Sequence, residues 1–361
     1  MKGVRMNKKY WLFLAVLAGF LLMVACTPAT GGQMSEAEQT LQAIYLEQTV
    51  AALSQAAQAT ATVEAPPEPT PTTEIVHTVL PGEPGWVSQW WLDNDSSSTA
   101  AQGRANGGDN YSQNLFERPF TAQDMVYRPD LDILRVDIGH NPTFYYIQIQ
   151  LRDVNPGTGF LSGFYGIEFD TDRDGRGDVL LWVRGDGNTE WNIDQVYVFQ
   201  DLNGDVGASR PMLSDAVASG NDGYEHVLFS PEVLNDPDAA WKRVNPSDSK
   251  VIQLAIKKSL LGNAAAFLWS AWADDGISDP ALFDYNDAFT FAQAGSPIGG
   301  NDEYPLKEVF LVDNTCRLAF GYEPTGFEVN GCVKPTPTPT PPPPTDTPEP
   351  TPTLTPFPII T

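Results

Sequence analysis

Apolar and polar residues alternate with period two through much of the chain between residues 86 and 333. In "YYIQIQLRD", Tyr145, Ile147, Ile149 and Leu151 share one face, while Gln148, Gln150 and Arg152 take the other. "KVIQLAIKK" likewise sets Ile252, Leu254 and Ile256 against Gln253, Ala255 and Lys257. Successive strand side chains point to opposite faces, so this alternation predicts strands with one buried side. "DVLLWVRGD" is apolar throughout, as a central strand covered on both faces would be. Further strands are predicted at "LDILRVDI", "FYGIEFD", "QVYVFQD", "YEHVLFS", "AFLWSAWAD", "FTFAQ" and "VFLVDN", separated by Gly, Asp, Asn and Pro clusters. Amphipathic helical periods and internal linkers are both missing from this stretch. The pattern therefore predicts one all-β domain over 86–333, an antiparallel β-sandwich of jelly-roll type.

The flanks follow other rules. Ser35 and Glu38 form a capping box ahead of an Ala-, Gln-, Leu- and Glu-rich run, which predicts a helix over about 35–60. Its apolar positions, Leu41, Ile44, Tyr45 and Ala52, are too sparse for a coiled-coil seam, so the segment reads as a stalk about 39 Å long. "PPEPTPTTE" at 66–74 is an extended linker, and the Pro/Thr run at 334–361 cannot bury a core. The expected organisation is a leader over 1–25, a spacer, stalk and linker over 26–85, the β-domain, and a disordered Pro/Thr tail.

The leader changes the address. Lys2, Arg5, Lys8 and Lys9 precede the apolar run "YWLFLAVLAGFLLMVA", which ends at Cys26. A basic start, a short apolar stretch and small residues before the cut describe a secretory signal. "LMVAC" resembles a bacterial lipobox, with Met23 where Leu is usual. The resemblance implies that Cys26 is lipidated and holds the protein on a membrane surface without spanning it. The formal net charge is −25 and becomes more negative when the leader leaves with its basic residues. Such a surface repels nucleic acid and anionic lipid and attracts cations, which excludes nucleic-acid binding. Outside the cytoplasm Cys316 and Cys332 most simply pair, closing a loop that stabilises by roughly 3 kcal/mol.

The acidic residues are not evenly spread. "FDTDRDGRGD" places Asp170, Asp172 and Asp174 on alternate positions, then Gly175, matching the first half of a calcium loop. A hard cation needs six to eight oxygens, and alternate side chains converge when the backbone curls around it. Arg176 falls where a loop carbonyl coordinates, Asp178 where a ligand acts through water, and Leu181 where a bidentate Glu is expected. The flanks read as strands, so the expected role for calcium is a staple, with an affinity of roughly 10⁻⁴ to 10⁻³ M. "QDLNGDVG" repeats the spacing with Asp201, Asn203 and Asp205, either completing the first site or holding a second ion. Ordinary Asp-Gly turn chemistry accounts for "DG" anywhere, but not for three alternate aspartates ahead of it. "FDYND" is a third, weaker acidic cluster.

Catalytic patterns are scarce. The histidines are His77, His140 and His226, and neither a zinc-protease helix, a nucleophile elbow, a phosphate loop nor a dinucleotide fingerprint is present. A carboxylate pair for glycoside hydrolysis is always available among 46 acids, so it carries no weight. Tryptophans offer a binding alternative. "WVSQWW" holds Trp86, Trp90 and Trp91, with Trp90 and Trp91 as candidate sugar-stacking residues, whereas Trp182 and Trp269 sit inside apolar strands and read as core.

Leader, stalk, Pro/Thr linkers and acidic β-domain together resemble a bacterial surface lipoprotein. The stretch from "YGIEFDTDRDG" through "AWADDG" and "FDYNDAF" is similar to the sandwich domains of family 9 carbohydrate-binding modules and their DOMON relatives. That resemblance implies a sandwich fold and extracellular polysaccharide, or another surface component, as partner. The expectation is a calcium-stapled, lipid-anchored binding or adhesive module at the cell surface. The alternatives are a secreted glycan hydrolase and a purely structural display domain.

Overall fold

Hydrogen bonding pairs the alternating segments into two antiparallel sheets. The computed structural model describes residues 75–109, 115–204, 206, 223–233, 235–282, 291–325 and 331–332. The leader with Cys26, the stalk, the Pro/Thr segments, Asp205 and the "FDYND" aspartates lie outside them. In chain order the strands are β1 (Val87–Leu92), β2 (Glu117–Arg118), β3 (Ile133–His140), β4 (Phe144–Leu151), β5 (Phe164–Asp170), β6 (Val179–Arg184) and β7 (Val196–Gln200). They continue with β8 (His226–Phe229), β9 (Ala240–Asn245), β10 (Asp248–Lys257), β11 (Phe267–Asp274), β12 (Val312–Asn314) and β13 (Leu318–Phe320). One sheet runs β1-β3-β4-β10-β9; the other runs β2-β12-β11-β5-β6-β7-β8, with β13 also paired to β11.

The alternation read from sequence places the core between these sheets. Ile147 and Ile149 of β4 and Leu254 and Ile256 of β10 pack in one cluster with Ile167 and Phe169 of β5 and Trp269 of β11. Each such side chain contributes about 1.5–3 kcal/mol on burial. β6 serves two cores, as its unbroken apolar run requires. Leu181 and Val183 join the cluster between the sheets, while Leu180 and Trp182 enter a second cluster with Phe116, Tyr224, Trp272 and Val312. Both faces of the larger sheet are therefore covered, and this all-β sandwich agrees with the expected class.

Two sequence expectations need correction. "FTFAQ" does not continue as a strand, because Phe291–Ala294 form a single helical turn. The carbonyls of Ala294, Gly295 and Val309 converge on the buried Arg118 guanidinium at 2.6, 3.0 and 2.7 Å, and so serve a cation instead of a neighbouring strand. The compact unit also starts at Ile75, not at Trp86. Asp238 accepts hydrogen bonds from Thr78 N and Oγ1 and from Val79 N at 2.8–2.9 Å, and lies 2.9 Å from His77 Nδ1. Glu83 pairs with Arg243 at 2.6 Å. The segment before β1 is thus a strap over the domain. The sequence hid this, because the strap's apolar Ile75, Val76, Val79 and Leu80 stay exposed while hydrogen bonds and an ion pair attach it. Cys316 and Cys332 form the expected disulfide.

Candidate metal loop and ligand face

The loop after β5 is built by its own aspartates. Asp170 is buried, and its two oxygens accept from Arg173 N at 2.5 Å and Gly175 N at 2.9 Å. Asp172 accepts from Asp174 N at 3.0 Å, and Asp174 from Arg176 N at 2.8 Å. Arg173 and Gly175 take left-handed backbone angles of 67° and 96°, which bend the chain so that alternate side chains turn inward. Carboxylate oxygens of Asp170, Asp172 and Asp174 consequently lie within 4.8 Å of one another. Two oxygens bound to one calcium at 2.3–2.6 Å stand at most about 5.2 Å apart, so the spacing of these three residues is compatible with the ion.

Asp178 also holds the loop closed. Its Oδ2 accepts from Thr171 N and Oγ1 at 2.6 and 2.5 Å, which closes the loop onto its own start. Behind the loop, Arg317 donates to the Gly175 carbonyl and pairs with buried Glu168 at 2.6 Å. Tyr224 Oη donates to the same Glu168 at 2.8 Å. A Cβ on Gly177 would stand 1.8 Å from that hydroxyl, so only glycine leaves room for it. Burial pushes Asp170 up to about 7, against the pull of Arg317 and the two backbone donors.

The loop after β7 repeats the design. Asp201 accepts from Asn203 N, Gly204 N and Val206 N at 3.0, 2.7 and 3.0 Å. The loops join through Gly177 N to Val206 O and Asp201 N to Asp178 O, both at 3.1 Å. Burial raises Asp201 above the usual carboxylate range, with its backbone donors pulling the other way. The converging oxygens of the loop pair, among the described residues, are those of Asp170, Asp172 and Asp174.

The tryptophan pair divides. Strand alternation turns Trp90 outward, 54% exposed, while Trp91 packs against the inter-sheet core. Trp91 is therefore withdrawn as a ligand residue. Trp86 is 87% exposed just before β1. Register then sets one row across the outer face of the five-stranded sheet. Trp90 pairs with Asp137, Asp137 with Gln148, Gln148 with Gln253, and Gln253 with Arg243. Gln253 Nε2 donates to Gln148 Oε1 at 2.7 Å, and Arg243 Nε to Gln253 Oε1 at 2.6 Å. Arg135 lies 5.1 Å over the Trp90 ring and pairs with Asp137 at 2.7 Å. Near it opens a shallow cavity of about 330 Å³ lined by Arg135, Asp137, Gln148, Gln150, Asn245 and Asp248.

The sequence pattern sets Gln148 and Gln150 away from the core without marking either as a site residue. Their relation to Trp90 depends on strand order, which periodicity does not encode. No family model, curated protein or solved structure compared with this chain matches it. The functional reading rests on its own residues.

Proposed function

We propose that this chain is a lipid-anchored surface protein whose calcium-stabilised β-sandwich binds extracellular polysaccharide on the outer face of the five-stranded sheet. One observation carries the reading: Trp90 is exposed on the same face as Asp137 and Gln148, to which register joins it. A sugar ring offers a flat C–H face and a rim of hydroxyls that both donate and accept. An indole supplies the matching flat surface, with amide and carboxylate groups beside it for the rim. Arg135 over Trp90 holds the ring in place by cation–π attraction. Calcium in the loop of Asp170, Asp172 and Asp174 stiffens the sandwich and takes no part in sugar contact.

Affinity gel electrophoresis against a panel of soluble polysaccharides tests this. The purified chain is expected to be retarded by at least one polymer, and the Trp90→Ala and Gln148→Ala variants to run freely. An unretarded parent across the panel overturns the proposal, and turnover of a polymer moves the reading to a hydrolase.

A further inference from the structure

A second acidic group sits away from the metal loop. Glu117 of β2 and Asp313 of β12 are direct cross-strand partners in the larger sheet. Asp93 follows β1 and Asp132 precedes β3, both belonging to the other sheet. Glu117, Asp132 and Asp313 are fully buried. Like charges opposite each other on paired strands repel, and burial removes the water that would screen them. Arg118, next to Glu117, does not help. It points to the other side of its strand, onto Asp109 and three carbonyls.

The hydrogen bonding of these four carboxylates is one-sided. Asp93 Oδ1 accepts from Asn94 N at 2.9 Å and Glu117 Oε1 from Asn94 Nδ2 at 2.8 Å. Asp132 Oδ2 accepts from Ser96 N at 3.0 Å and from the Tyr127 hydroxyl, and Asp313 Oδ2 from Ile133 N at 2.7 Å. The remaining oxygen of each, Asp93 Oδ2, Glu117 Oε2, Asp132 Oδ1 and Asp313 Oδ1, is buried without any hydrogen-bond partner. Buried polar atoms are almost always satisfied, so an orphaned one calls for a partner such as an ion, a water or a shared proton. Here four such oxygens come from four separate chain segments. Asp93, Glu117 and Asp313 already bring ligand atoms within 4.8 Å of one another.

We propose that Asp93, Glu117, Asp132 and Asp313 form a second calcium site, distinct from the loop after β5, that ties the two sheets together. The donor set is all oxygen, which selects a hard cation. Magnesium keeps several of its waters, whereas calcium accepts an irregular cage of protein carboxylates. The negative charge that one divalent ion leaves over is offset by the N–H and O–H donors already bound to the outer oxygens. Burial, followed by mutual repulsion, raises Glu117 and Asp313 well above the usual carboxylate range. The site lies at the end of β1, the edge strand that carries Trp90, so the ion also holds the proposed ligand face in place.

The site is separate from the loop, and the experiment reads the two metals apart without any sugar present. Calcium content after dialysis, and melting temperature in calcium and in chelator, are measured for the purified chain, for Asp172→Ala and for Glu117→Gln. Asp172→Ala removes an oxygen ligand from the loop alone, and is expected to retain calcium, about one ion per chain. Glu117→Gln removes one repelling charge, and so is expected to melt above the parent in chelator but below it in calcium. Loss of all calcium from Asp172→Ala overturns the proposal. So does an unchanged order of melting in the two conditions, since a cluster quieted by shared protons gives that result. Should Glu117→Gln not fold, Asp313→Asn is read in the same way.

Discussion

Glu168 and Arg317 form an ion pair at 2.6 Å with both side chains buried, in the wall behind the loop that follows β5. Arg317 also donates to the Gly175 carbonyl, so one guanidinium neutralises the sheet interior and fixes the loop. Removing one partner of a buried pair leaves an uncompensated charge, which costs about 3–5 kcal/mol. Arg317→Met is expected to lose that much in urea unfolding. Adding Glu168→Gln to it should recover a large part, since the stranded charge is then gone. A double variant no more stable than the single one would show that the pair is not the source.

The two neighbouring tryptophans should respond oppositely. Trp90→Ala is expected to abolish polysaccharide retention while shifting stability by no more than about 0.5 kcal/mol, because the ring is half in solvent. Trp91→Ala opens the core and is expected to cost up to about 3 kcal/mol while leaving retention intact in the folded fraction. Paired gel and chemical-denaturation measurements read both effects, and a shared loss of stability would contradict the assignment.

Millimolar calcium should raise the melting temperature above that in chelator. Tenfold excess over the dissociation constant contributes about 1.4 kcal/mol for one site. Asp172→Ala is expected to shrink the gain without changing the melt in chelator, because Asp172 is exposed and touches only its own loop. What remains of the gain belongs to the cage of Asp93, Glu117, Asp132 and Asp313. Calorimetric titration of both proteins checks the division, and an equal gain in the two would remove the loop as a metal site.

Acid should release the strap before β1. Burial of Asp238 opposes its ionisation, but donors from Thr78, His77 and Val79 outweigh it and hold the carboxyl down at about 2. A depressed carboxyl stabilises the folded state above its unfolded value of about 4, and that contribution disappears as pH falls towards about 2. Limited proteolysis at the strap is therefore expected to accelerate between those values in the parent. In Asp238→Ala cleavage should be fast already at neutral pH. A parent cleaved equally at pH 7 and at about 2.5 would show that Asp238 does not anchor the segment.

Period-two alternation and unbroken apolar runs were enough to locate most strands, to bury Trp182 and Trp269, and to set Gln148 and Gln150 outside the core. These are local properties, because a strand exposes its two faces to two different media wherever it lies. The same holds for the loop of Asp170, Asp172 and Asp174, whose carboxylates sit within one turn of chain. Other features depend on which segments meet. The row from Trp90 to Arg243 crosses β1, β3, β4, β10 and β9, and needs their spatial order as well as their faces. Trp90 and Trp91 were indistinguishable until the pairing of β1 assigned one to each side. Asp93, Glu117, Asp132 and Asp313 lie far apart in the chain and match no spacing. Only the closing of one sheet over the other brings their carboxylates into a common, water-poor space, where each must find a partner for its inner oxygen.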